Sequence, residues 1–239
     1  MICKYCGKDK ELVESHVIPK AFFKRQRHGQ GPLKMLTEHG KDYPKRLPAG
    51  VYDRMLCGQC EQQFGDWDNY AQNVLKEPPD NASPVTVGSQ IVGYEIAEYS
   101  YKLLKLFFIS LLWRASVSVH EFYEKISLGP YIAAAKQCID RQDPGSPEEF
   151  SVFLARFDHP LGGTILDPHL QRIMGINFYR FYLGNYVAYI KVDKRETPEP
   201  CFPLVLSPNE PLKIVSRNME RGGELSLIKE MVAASTRTR

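Results

Sequence analysis

The chain has 239 residues, with 31 basic against 28 acidic side chains, a formal net charge of +3, and 43% hydrophobic and 25% charged residues. This composition excludes collagenous, low-complexity and strongly acidic disordered chains, and it suits one large domain or a small one plus a larger one. The near-neutral balance permits contact with nucleic acid without arguing for it.

Cys3-Lys4-Tyr5-Cys6 opens the chain and Cys57-Gly58-Gln59-Cys60 answers it. Four of six cysteines thus stand in two close pairs, and a two-residue gap lets both thiolates of a pair grip one metal ion. With no export signal ahead of the first pair, the reading is metal rather than disulfides, in a cytoplasmic protein. The expected ion is a structural zinc held by Cys3, Cys6, Cys57 and Cys60, replacing a core that so short a segment cannot build. Cys138 and Cys201 have no such spacing and read as plain core or loop residues. The richest apolar run, Leu103 to Trp113, is interrupted by Lys105 and Ser110 and followed by Arg114, so it reads as a buried helix rather than a membrane span.

Between the pairs stands Glu14-Ser15-His16-Val17-Ile18-Pro19. Val17-Ile18-Pro19 suggests a short strand running to a turn, which leaves the His16 imidazole at a strand end. There it can take a proton from a water attacking a phosphodiester, or it can simply pack or cap locally. Lys20, Lys24, Arg25 and Arg27 follow, a basic segment suited to a phosphate backbone and equally to a solvated loop. Hydrolysis also calls for a divalent cation, for which Glu14, Asp53, Glu61, Asp66 and Asp68 are the available carboxylates. A helix is expected from the second cysteine pair onward. Glu61 and Asp68, seven positions apart with Phe64 between them, share one of its faces. For Asp68, solvent exposure and ligation stand level.

Glu77 to Pro84 reads as a loop, so residues 77–93 are expected to link a first module, 1–76, to a second part, 94–239. Helices are expected over Tyr94–Val117, Val119–Ile126 and Tyr131–Arg141, with Trp113 in the core and Arg114 at the surface. Strands follow at Phe150–Phe157, Gly175–Tyr182 and Tyr186–Val192, the last two forming a hairpin about Gly184-Asn185, then Leu204–Leu206. A closing helix is expected over Leu225–Ala234. Tyr179, Tyr182, Tyr186 and Tyr189 offer either core residues or a stacking surface for single-stranded nucleic acid. The second part is therefore α+β, with helices first and an antiparallel sheet after.

A CxxC pair, a Ser-His-x-Ile-Pro element, then Leu-Cys-x-x-Cys opening a helix resembles the HNH endonuclease family and its ββα-metal module. The resemblance covers Cys3 to about Tyr70. It implies a zinc-stapled β-hairpin on one helix, His16 as general base, and hydrolysis of nucleic acid, DNA by family habit, in a bacterial restriction or defence setting. Three positions depart from the family pattern. Ser15 stands where an aspartate or histidine normally holds the metal, Asp53 is the nearest stand-in for the middle asparagine, and Glu61 stands in for the helix ligand. An oxygen site of Asp53, Glu61 and Asp68 favours Mg²⁺ or Mn²⁺. The departures also admit a zinc-knuckle binding module without catalysis, or an effector activated by a partner protein such as an ATPase or sensor.

Overall fold

The computed structural model describes residues 1–24, 34–36, 51–75, 82–157 and 164–218. Strand β1 (Leu12–His16), helix α1 (Lys20–Lys24), strand β2 (Lys34–Leu36), strand β3 (Tyr52–Cys57) and helix α2 (Gly58–Val74) make up the first part. β1 and β3 pair antiparallel, with Leu12 opposite Cys57 and His16 opposite Tyr52, and a register irregularity between Val13 and Ser15. The expected strand after His16 is instead the strand before it. Leu12 buries against the core while Glu14 is exposed, and Val17, Ile18 and Pro19 turn inward as a buried bend. α2 buries Cys60, Phe64, Trp67 and Ala71, the stripe of one helical face.

The stretch expected as a linker carries strands: β4 (Ala82–Val87) and β5 (Gln90–Ile96). Its β-branched residues Val85, Thr86, Val87, Ile91 and Val92 favour a half-exposed pleated surface, which the prolines and polar residues nearby had masked. Gly93 is required here, because a Cβ would lie 2.6 Å from the Ile214 carbonyl oxygen of the neighbouring strand. The long helix consequently begins later than its apolar pattern suggests. α3 spans Tyr101–Val117, and the Ser100 hydroxyl accepts from the Leu103 N–H at its start. In place of a helix over Val119–Ile126 there is one short 3-10 turn at Glu121–Tyr123, and α4 covers Ile132–Arg141.

Strands β6 (Val152–Phe157), β7 (Thr164–Leu166), β8 (His169–Ile173), β9 (Ile176–Leu183), β10 (Tyr186–Lys191) and β11 (Leu212–Arg217) complete the described chain. Leu204 closes a 3-10 turn rather than starting a strand. The fold is α+β, and its main sheet has seven strands in the order β4-β5-β11-β6-β10-β9-β8. It is mixed rather than wholly antiparallel, because β11 runs parallel to β6. It also takes strands from before α3, so helices do not simply precede sheet. The helix expected over Leu225–Ala234 lies outside the described residues.

Alternate residues of the central strands enter two cores. Leu154, Phe181 and Ala188 join the larger one, whereas Phe153, Phe178, Val187 and Tyr189 join a smaller one on the opposite face. Tyr179, Tyr182, Tyr186 and Tyr189 are all buried, so the hairpin has no tyrosine stacking surface. The larger core runs without interruption from Cys3 through α2 and α3 to Ile214. No helix among the described residues is long and apolar enough to cross a membrane.

Candidate functional site

The two cysteine pairs meet. The sulfur atoms of Cys3, Cys6, Cys57 and Cys60 all lie within 4.8 Å of one another. A tetrahedral zinc–thiolate site has sulfur atoms about 3.8 Å apart, so the group stands close to that geometry. Local backbone explains the convergence. The Gly7 N–H closes a turn onto the Cys3 carbonyl, with Gly7 at φ +70°, and the Lys4 N–H reaches the Met55 carbonyl on β3. Cys57 ends β3 and Cys60 sits in the first turn of α2, where the helix dipole favours a thiolate.

The thiols are electrostatically unequal. Burial alone would raise Cys3, but the backbone N–H groups of Cys6, Cys57 and Tyr5 outweigh it and bring its pKa down to about 6. Burial, then hydrogen bonding and charge from the other thiols, pushes Cys60 upward. Four thiolates at this spacing repel one another unless a cation sits among them. The donor set therefore fits a metal such as zinc.

His16 stands at the other end of the β1–β3 pair, roughly 13 Å along the strand at 3.3 Å per residue. The cysteines can thus hold the strands in place at a distance from His16. The imidazole end has its own fastening, Arg114, which is 0% exposed rather than at the surface. Its Nη1 donates to the His16 carbonyl oxygen and to Asp68 Oδ2, both at 2.9 Å, and Nη2 donates to Asp68 Oδ1 at 2.6 Å. Nε reaches the Ser110 carbonyl and Nη2 the Ser110 hydroxyl, each at 3.3 Å. The five N–H groups of the guanidinium thus all have acceptors, and its Cζ lies 5.1 Å from the centroid of the Phe64 ring. Burial by itself would lower the pKa of Arg114; the Asp68 carboxylate and its hydrogen bonds reverse that and hold the charge in place.

Glu61 and Asp68 do share one side of α2, and that side faces Arg114 rather than solvent. Only 16% of the Asp68 side chain is exposed, and both its oxygens are engaged by the guanidinium. Burial raises the pKa of Glu61; Arg114, the Ser15 hydroxyl and the His16 backbone N–H all favour its carboxylate, while Asp68 opposes it. Ser15 is buried and turned toward Glu61, a use of serine that does not require it to bind metal. Asp53 Oδ2 accepts from the Ser118 hydroxyl and the Val119 N–H, both at 2.8 Å.

Among the described residues, the cysteines are the one group of three or more His, Cys, Asp or Glu whose ligand atoms lie within 4.8 Å of one another. Asp53, Glu61 and Asp68 therefore do not form a cage as a trio. Asp68 serves Arg114. The buried Glu61 Oε2 has no hydrogen-bond partner among the described residues.

No protein-family model, curated protein or solved structure matches the chain. Of the basic residues, Lys20 is exposed at the start of α1 and Lys24 ends it, whereas Arg25 and Arg27 lie outside the described residues. Sequence reasoning missed Arg114. The available signal was its setting, because an arginine inside an apolar helix is either at the rim or buried with a partner, and α3 is buried all round.

Proposed function

We propose that the chain is a metal-dependent endonuclease of the HNH kind, hydrolysing phosphodiester bonds of nucleic acid, with DNA the first substrate to test. The observation that carries this reading is the layout around His16. A strand pair and a helix, stapled at one end by four thiols, hold a half-buried imidazole at the other end beside the carboxylates of α2. His16 takes the proton of the attacking water. Its backbone is held from two sides, by Arg114 at the carbonyl and by Glu61 at the N–H, which limits movement of the base. Lys20 offers positive charge to the substrate backbone. Mg²⁺ or Mn²⁺ held by Glu61, whose carboxylate lies at the His16 backbone, would supply charge stabilisation for the leaving oxygen. A restriction or defence role is the natural setting for such an activity.

A second reading has its own support. With Asp68 committed to Arg114 and Ser15 to Glu61, the scaffold also suits a zinc-knuckle module that binds nucleic acid or a partner without cutting. One experiment separates the two. Purified protein is assayed for zinc and incubated with plasmid DNA in Mg²⁺, Mn²⁺ or EDTA, beside His16→Ala and Cys57→Ser. The expected result is one zinc per chain, lost in Cys57→Ser, and metal-dependent nicking abolished in His16→Ala. Nicking unchanged in His16→Ala removes His16 from the mechanism. DNA binding without cleavage under any metal selects the binding module.

A further inference from the structure

We propose that Tyr52 is a stacking platform for a nucleobase next to the scissile phosphate, which makes the preferred substrate a nucleic acid with an unpaired base at that position. The inference rests on the reading of His16 as the base in phosphodiester hydrolysis and adds to it a substrate class.

Tyr52 is the direct cross-strand partner of His16, and the two rings lie 5.9 Å apart at 58°. Strand alternation puts this pair on one face of the β1–β3 ribbon and Ser15 with Asp53 on the other. The second face is turned inward: Ser15 is buried, and Asp53 is bonded to Ser118 and Val119. The His16–Tyr52 face is therefore the side from which a substrate approaches. Tyr52 is 44% exposed there. The tyrosines of the β9–β10 hairpin, by contrast, are all buried. An aromatic left half in water beside an imidazole supplies what a flexible strand needs, a flat apolar surface that accepts any base.

The spacing ties base and phosphate together. A nucleotide whose phosphate meets His16 has its own base within reach of the neighbouring ring. In a paired duplex both faces of that base are covered by its neighbours, so only an unpaired or extruded base can lie on Tyr52. Stacking on one side chain contributes binding that does not depend on sequence, so the platform selects for strand state rather than for a base.

The test measures binding of the full chain, in EDTA, to fluorescein-labelled oligothymidylate, to the same oligomer with abasic sites, and to its duplex with oligoadenylate. Tyr52→Leu is expected to weaken single-strand binding about tenfold, from the range observed for one stacked base, and to leave duplex binding and zinc content unchanged. Tyr52→Trp is expected to keep wild-type affinity, because the ring is retained. Wild-type protein, which carries no folding risk from substitution, is expected to bind the abasic oligomer about tenfold less tightly. Equal affinity of wild type for the abasic and normal oligomers overturns the proposal, as does a Tyr52→Leu loss of equal size on duplex. The two readings fail separately. Tyr52-dependent binding without cleavage leaves the platform standing and removes the nuclease. Cleavage by a protein indifferent to Tyr52 and to base removal does the reverse.

Discussion

Helix α3 carries two fully buried cations, Lys105 and Arg114, and they meet opposite fates. Nine residues apart, they point to opposite sides of the helix, since nine steps of about 100° amount to about half a turn beyond two full ones. Arg114 enters the region between β1 and α2 and finds an acceptor for every N–H. Lys105 faces the chain after α4, where its amine has the Ser146 carbonyl at 3.4 Å and the Tyr101 ring at 5.5 Å. Burial dominates there, and its pKa drops to about 7. Equal burial therefore gives a locked charge in one place and an amine whose charged form is disfavoured in the other. The difference lies in the partners, and it separates a region built to hold a group in position from one that tolerates a long side chain.

The largest expected effect comes from breaking the matched side. Asp68→Ala leaves the Arg114 charge buried without its counter-ion, which should cost about 3–5 kcal/mol. Urea unfolding is the measurement, with a lowered midpoint and an unchanged slope. The double variant Arg114→Met with Asp68→Leu should recover most of that loss, because no unpaired charge remains. If Asp68→Ala is neutral, the pair does not fasten β1 to α2.

Removing the unmatched cation should act in the other direction. The pKa of Lys105 is 10.5 in an ordinary setting and about 7 in the fold. As pH falls through that window, the unfolded chain takes up a proton that the folded chain does not, so wild-type stability declines toward pH 7 and levels off below it. Lys105→Met lacks this slope and should be more stable at pH 7 by up to about 4 kcal/mol, an advantage that closes as pH approaches the ordinary lysine value. Denaturant titrations of both proteins at pH 7 and pH 10 measure it, and an advantage of equal size at both would show that Lys105 is charged in the fold. The smallest effect is expected at Ser110, whose hydroxyl accepts from Arg114 Nη2 at 3.3 Å and donates to the Phe107 carbonyl at 2.8 Å. Ser110→Ala should cost about 1 kcal/mol, read from the same titrations, with zinc content unaltered.

The two cysteine pairs were legible from spacing alone, because metal binding restricts both residue type and separation, and the sulfur atoms do converge. The start of α2 beside the second pair, the common side of Glu61 and Asp68, and the β9–β10 hairpin were also readable, since helical and strand periods are local properties. β4 and β5 were not. Their short, half-exposed pattern resembles a polar loop; they pair with each other, and β11, more than a hundred residues onward, joins them to the main sheet through β5. The tyrosines of the hairpin were ambiguous for a related reason. Alternation assigns each to a face, but whether a face is wet depends on what covers it.

Sequence by itself thus determined the local chemistry: which thiols can share an ion, which histidine stands near a basic segment, and which carboxylates lie on one helical face. Tertiary structure decided the use of those groups. It turned Arg114 from an expected surface charge into the fastening of His16, engaged Asp68 as its counter-ion, directed Ser15 to Glu61, and left Tyr52 half in water beside the imidazole. The physical reason is that periodicity and spacing are set within a few residues, whereas desolvation and ion pairing depend on which distant segment arrives.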